Sequence, residues 1–194
     1  NYMRQKSKRA LVLLLILGIL CTSFPINAYA SRSFSVTWLN SKYDGVSDFS
    51  EGLAAVRVSN MYGFIDTTGK EVIPAIYEDV YLFKNGLARV KKDGRYGYID
   101  KTGKEVIPIN YYSIGDFSEG LAPAMWGDKN NPAKYGYVDK TGKVVVPFVY
   151  DGVSDFEDGV AIVKKGGQYC LIDKKGNEIS ILYDEIYPFS EGIA

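Results

Sequence analysis

Histidine is absent from all 194 residues. Without an imidazole the chain cannot assemble a Ser-His-Asp or Cys-His nucleophile, and the common His-containing zinc sites are closed to it as well. Cysteine is scarce: Cys21 and Cys170 are the only two, and once a leader carrying Cys21 is removed no intramolecular disulfide can form. Cys170 stands where sister segments have Gly, inside a strand pattern, which suits a small buried apolar side chain better than a reactive thiol. Neither sign of charge is in excess, with 23 basic and 23 acidic residues. Residues 1–30 hold Arg4, Lys6, Lys8 and Arg9 and no acid, so the remainder carries 19 basic against 23 acidic residues, a net charge of −4. No basic run interleaves with aromatics, and the pairs Lys91-Lys92 and Lys164-Lys165 read as solvated turn residues, so nucleic acid is disfavoured as a partner. The apolar stretch Ala10 to Leu20 has about half of the ~20 residues a membrane-crossing helix needs.

That stretch follows the basic cluster and precedes Ala28-Tyr29-Ala30, the small-x-small pattern of a cleavage site. Residues 1–30 therefore read as a secretory signal peptide, with Ser31 as the mature start and Met3 as the natural first residue. The mature chain is expected to be secreted or at the cell surface, periplasmic in a host with an outer membrane, and to have no transmembrane helix. Leu20 precedes Cys21, where lipoprotein processing wants a small residue, so lipidation is disfavoured.

Repetition dominates the rest. Phe49, Phe83, Phe117, Phe156 and Phe189 are each followed within three residues by Gly, then a branched aliphatic and Ala, at a spacing close to 34 residues. A period of this length marks a stacked array rather than a domain around one active centre. Tyr43, Tyr77, Tyr111, Tyr150 and Tyr183 each stand six residues before the marker Phe. Short β-branched and aromatic segments such as Gly-Leu-Ala-Arg-Val and Tyr-Gly-Tyr-Ile-Asp predict strands of about five residues and no helix. Asp66 to Gly69, Asp100 to Gly103 and Asp139 to Gly142 spell Asp-x-Thr-Gly, and Asp173 to Gly176 spells Asp-Lys-Lys-Gly. Asp that bonds a backbone N–H two residues on, followed by Gly at positive φ, is the chemistry of a tight hairpin. The third strand of each unit is expected to end at Pro74, Pro108 or Pro147, because Pro removes a ladder donor.

The resulting fold class is all-β: a tandem array of three-stranded antiparallel meanders of about 34 residues, solenoid-like or superhelical, with a β-propeller as the alternative. Residues 31–42 read as an N-terminal cap that includes Trp38, and 43–194 as four units plus a trailing half unit, with the natural chain expected to continue past Ala194. One meander has too little core to fold alone, so Phe and Tyr are assigned to packing between repeats, and the repeated Gly to close backbone approach.

Several fixed positions agree in consecutive units: Phe-x-x-Gly-Leu-Ala-x-Val, then Tyr-Gly-Tyr-Ile-Asp, then Gly-x-x-Val-Ile-Pro. In these the chain resembles the bacterial WG repeat family over Tyr43 to Ala194. Tyr62, Tyr96, Tyr135 and Tyr169 stand where Trp is usual, and the Gly that follows becomes Cys170 in the last unit. The resemblance implies an exported or surface-associated binding module with no family-wide catalytic residue set and no cofactor.

The remaining candidates for chemistry are few. Glu51, Glu119 and Glu191 recur once per unit, whereas a catalytic carboxylate pair would be unique and mutually close. Calcium at the Asp turns is disfavoured because no turn combines several acidic ligands. The third unit carries five extra residues in the loop Trp126 to Ala133. Insertions in arrays map to surface loops, so Trp126 is the candidate ligand contact, against the alternative that it folds back over its sheet. The expected function is an exported, non-catalytic binding or scaffolding module at the bacterial surface, with a protein or glycan ligand. Two alternatives remain: a targeting or accessory module of a longer cell-envelope enzyme whose catalytic domain lies beyond Ala194, and a purely structural spacer.

Overall fold

The computed structural model describes residues 43–180. The expected signal peptide (1–30), the capping segment (31–42) with Trp38, and the trailing half unit with Phe189 lie outside the described residues. The described residues form four antiparallel sheets and no helix. The first contains β1 (Gly45–Ser50), β2 (Leu53–Val58), β3 (Met61–Asp66) and β4 (Glu71–Tyr77), hydrogen-bonded in that order. The second repeats the order with β5 (Asp79–Val80), β6 (Leu87–Lys92), β7 (Arg95–Asp100) and β8 (Glu105–Tyr111). The third has β9 (Ser113–Ile114), β10 (Leu121–Trp126), β11 (Lys134–Asp139) and β12 (Val144–Tyr150), and the fourth β13 (Gly152–Val153), β14 (Val160–Lys165) and β15 (Gln168–Asp173).

The meander therefore gains a strand over the expected three. What reads in sequence as a connection pairs for two residues with the strand after it, Asp79 and Val80 facing Lys91 and Val90. Each of these short edges carries a β-branched residue three positions before the marker Phe: Val80, Ile114 and Val153.

Two turns recur in each unit. In the Asp turn, Asp66 Oδ1 accepts from Thr68 N (2.8 Å), Thr68 Oγ1 (2.6 Å) and Lys70 N (3.1 Å), while Gly69 sits at φ 83°. Asp100 and Asp139 repeat the pattern with Thr102 and Thr141, and Asp173 does so with Lys175 N and Asn177. Hydrogen bonds from these side chains hold Asp66, Asp100, Asp139 and Asp173 below the ordinary carboxylate pKa. After the marker Phe comes a two-residue reversal. In the second unit Lys84 and Leu87 bond to each other across it, with Asn85 at φ 53° and Gly86 at φ 81°, the positive pair that a primed hairpin turn requires.

The prolines do not end their strands. β4, β8 and β12 each run three residues past Pro74, Pro108 and Pro147. The register explains why: Phe64 faces Ile73 and Tyr62 faces Tyr77, so the strand bulges outward over three residues headed by Pro74. A proline inside a bulge on an edge strand forfeits no ladder bond. The bulge folds over the Gly of the Tyr-Gly pair. A Cβ on Gly63, Gly97 or Gly136 would lie 2.4, 2.6 or 2.5 Å from the carbonyl oxygen of Ile73, Ile107 or Val146 respectively.

Alternating side chains send one set to the preceding sheet and the other to the following one. Leu53, Ala55, Phe64 and Ile73 of the first sheet meet Phe83, Ala88, Val90 and Ile99 of the second in one core. Tyr98, Ile107 and Tyr111 of the second meet Ile114, Ala122, Ala124 and Val138 of the third. Leu121, Tyr137, Val146 and Tyr150 of the third meet Phe156, Ala161, Val163 and Ile172 of the fourth. Cys170 is buried in that last core, and burial pushes its thiol pKa up, which is the inert apolar environment expected for it. The marker rings pair across each junction: Phe64 with Phe83 (4.9 Å between centroids), Tyr98 with Phe117 (5.2 Å) and Tyr137 with Phe156 (4.7 Å). Phe49, half exposed at 51 %, has no such partner among the described residues.

Candidate functional site

Beyond these rings, polar clasps fasten one sheet to the next, and they are not the same at every junction. Between the first and second sheets Ser50 Oγ donates to the Phe83 carbonyl (2.6 Å), and the Glu51 carboxylate accepts from Gly86 N (2.9 Å) and pairs with Lys101 (3.1 Å). Between the third and fourth sheets Ser118 Oγ donates to the Phe156 carbonyl (2.6 Å), and Glu119 accepts from Gly159 N (3.1 Å) and pairs with Lys174 (2.9 Å). The Gly86 N–H above all holds Glu51 below its ordinary pKa; for Glu119 the Lys174 hydrogen bond leads.

The second-to-third junction is built differently. Lys84 and Asn85 occupy the Ser and Glu positions, so neither clasp forms, and Lys140, in line with Lys101 and Lys174, has no carboxylate partner among the described residues. Arg89 stands where the other sheets have Ala55, Pro123 and Ile162, and its guanidinium enters the junction. It donates to the Ile114 carbonyl (3.0 Å), pairs with Asp116 (3.1 Å) and lies over the Tyr81 ring at 3.7 Å, and its side chain is 15 % exposed. Its buried Nε has no hydrogen-bond acceptor among the described residues. This wedge leaves Phe117 half-buried, whereas Phe83 and Phe156 are each 2 % exposed.

A cleft of about 200 Å³ opens at this junction, lined by Leu82, Lys84, Asn85, Arg89, Phe117 and Lys140 among others. Three cationic groups face it against one carboxylate, Asp116, which Arg89 already engages. Its floor is closed by Tyr98, whose hydroxyl donates to the Gly115 carbonyl (2.7 Å); burial pushes that phenol up to about 12. Tyr137 makes the same bond to Ser154 (2.6 Å) one junction on.

The structure places Trp126 at the end of β10, half-buried, opposite Lys134. Its ring lies 6.0 Å from Phe148, which is itself 6.0 Å from the buried Tyr111 of the second sheet, so Trp126 and Phe148 form the half-buried margin of the core between the second and third sheets. The loop after it is tied by Asp128, whose Oδ1 accepts from Asn130 N (2.7 Å) and Asn131 N (2.9 Å), and these bonds hold the Asp128 pKa below its ordinary value. In the other units the acid after Tyr caps the corresponding hairpin, as Glu78 does to Gly94 N and Asp151 to Gly166 N. The third unit has Tyr112 there, with Arg95 stacked on its ring at 3.4 Å. Among the described residues no group of three or more His, Cys, Asp or Glu is placed to hold a metal, and no helix is long and apolar enough to cross a membrane.

The repeat pattern does not single out Lys84, Asn85, Arg89 or Lys140, because each is an ordinary polar residue in its own unit and stands out only beside its counterparts. Their signal was there: Lys-Asn-Gly departs from Ser-Glu-Gly in the very unit that also exchanges an apolar strand residue for Arg89.

Repeated antiparallel sheets whose strands follow in chain order, each covering the next, define an all-β repeat protein. The profile of the WG containing repeat matches residues 38–62, 62–96, 96–129, 135–169 and 171–194, and the chain belongs to that family. No curated protein matches the sequence. Among solved structures it is similar to Kluyveromyces lactis Hsv2 at 10 % identity and a TM-score of 0.44, over 72 % of this chain and 51 % of that one. It is also similar to the extracellular domain of a one component system from B. thetaiotaomicron at 14 % identity and a TM-score of 0.39, over 74 % of this chain and 25 % of that one. The chain thus spans about half the length of Hsv2.

Proposed function

We propose that the chain is an exported, non-catalytic binding or scaffolding module that acts at a bacterial cell surface on a protein or glycan ligand. The observation that carries this reading is the concentration of irregularity. The ring pairs repeat at all three junctions and the clasps at the first and last, whereas the second-to-third junction carries the cleft and the Tyr111, Phe148 and Trp126 rings, and the third sheet carries the inserted loop. An array that is uniform except at one station is what a scaffold presenting a contact surface needs, because the repeated sheets hold that surface in place without taking part in it. Trp126 and Phe148 offer ring faces suited to stacking on a sugar or anchoring a side chain. The basic residues before Ala10 and the Ala28-Tyr29-Ala30 triplet support export.

Expression of the full chain in a bacterial host tests both halves. Export predicts a product cleaved after Ala30 outside the cytoplasm; a full-length cytoplasmic product refutes it. Binding to intact cells or purified wall glycan is expected to weaken at least tenfold in Trp126→Ala, and no binding by the wild-type chain to either would remove the reading.

A further inference from the structure

At both clasped junctions a glutamate carboxylate from one sheet sits on the turn amide and the lysine of the next. The second sheet offers Asn85 at that position, and the side chain of Asn85 makes no hydrogen bond among the described residues. The receiving half is nevertheless intact on the third sheet. Glu119 and Gly120 hold the same turn conformation (φ 49° and 90°) as Asn85 and Gly86 (53° and 81°), and Gly120 N has no acceptor among the described residues. Lys140 occupies the lysine position, and both Asn85 and Lys140 line the cleft.

From this we propose that the cleft between the second and third repeats binds a carboxylate on a short aliphatic stem, the chemistry of a glutamate side chain or a free dicarboxylic acid. It takes the place of the carboxylate the second repeat lacks. The proposal rests on the reading of the array as a binding module and names the ligand chemistry of that module. The bound carboxylate accepts from the Gly120 N–H and from Lys140 Nζ, as Glu51 does from Gly86 and Lys101. Lys84, which replaces a neutral serine, adds a second cation at the mouth. Charge-assisted bonds of this kind outlast competition from water better than neutral ones. The aliphatic stem lies against Leu82 and Phe117, which line the same cleft. The cleft volume of about 200 Å³ suits a side chain or a small acid rather than a folded epitope. The flanking junctions cannot take this ligand, since Glu51 and Glu119 already fill them.

The test is a titration of the ¹⁵N-labelled full chain with glutarate and, separately, with the capped peptide acetyl-Gly-Glu-Gly-amide, read at the Glu119 and Gly120 amides. Either ligand is expected to shift both amides while leaving that of Gly159, already held by Glu119 at the next junction, unmoved. Asn85→Glu, which restores the chain's own carboxylate, and Lys140→Gln, an exposed change that leaves the core alone, should each weaken binding at least tenfold. A peptide that binds tenfold tighter than glutarate assigns the source to an acidic protein segment; the reverse assigns a free acid. The proposal is overturned if neither ligand moves these amides, or if both variants bind as the parent chain does. Cell-surface binding that persists in Asn85→Glu while the amides stay silent sinks this proposal and spares the binding-module reading. Amide shifts without any surface binding do the opposite.

Discussion

Adding one methyl group at Gly97 tests the bulge as the reason for the Gly in each Tyr-Gly pair. In Gly97→Ala the new Cβ would stand 2.6 Å from the Ile107 oxygen, 2.7 Å from the Pro108 oxygen and 2.8 Å from Ile109 Cα, all backbone atoms. Ordinary contact begins near 3.4 Å, so the bulge must lift by more than half an ångström. No rotamer change can supply that movement. Overpacking of this kind costs about 1–3 kcal/mol, and stretching one ladder bond between β7 and β8 adds about 0.5–1.5. Stiffening the unfolded chain returns about 0.4–1 kcal/mol. The net loss is about 0.5–4 kcal/mol, centred on ~2, and at that centre the melting temperature falls by roughly 4–8 °C for a chain of this size. Gly152→Ala is the matched control, since its Cβ meets only Lys164 Cβ at 3.8 Å and its φ is not in the left-handed region. Its stability should match or slightly exceed that of the parent. Calorimetry or urea denaturation of the three proteins decides the matter, and equal melting of Gly97→Ala and Gly152→Ala would refute the steric argument.

Tyr137→Phe strands the Ser154 carbonyl that the hydroxyl now meets at 2.6 Å, and should lose about 1–3 kcal/mol in chemical denaturation; an unchanged midpoint would show that water replaces the bond. Ser118→Ala removes the 2.6 Å bond to Phe156 and should cost about 0.5–1.5 kcal/mol, whereas Lys84→Ala, at the equivalent place in the unclasped junction, should leave the midpoint unmoved. Glu51, Glu119 and the turn aspartates titrate below their ordinary values of 4.5 and 3.8. Their contribution to stability is therefore complete above about pH 5 and is lost as pH falls through the lowered values; melting temperature against pH should be level from 5 to 8 and drop below 4. In Glu119→Gln that acid-side drop should be shallower, because one carboxylate with a lowered pKa is gone.

The repeat, its period and its strands were legible because period-two alternation and turn chemistry are local. The Asp turns needed only Asp66, Thr68 and Gly69 in order. The bulge was not legible, since Pro74 ends a strand in local reasoning and only the facing Gly63 shows that the strand continues around it. In the fourth unit both change together: Cys170 replaces the Gly, and no proline lies between Asp173 and Tyr183. A similar pairing marks the third unit. Ser47 and Ser154 each accept a hydrogen bond from a strand N–H, of Ala55 and Ile162, and the third unit has Gly115 facing Pro123, which has no N–H to give. Such coupled exchanges are visible only once the repeats are compared column by column with the contacts in hand. The cleft was hidden for the same reason, because Asn85 is ordinary by itself and informative only beside Glu51 and Glu119.

The alternation of clasped and unclasped junctions gives the array a grain. Sheets one and two, and sheets three and four, are each joined by a serine bond and an ion pair, while the seam between the doublets has neither clasp and relies on Arg89, the Tyr98 bond to Gly115 and its apolar core. Pulled from its ends, such a chain should part first at that middle seam and release two-sheet blocks before either block comes undone.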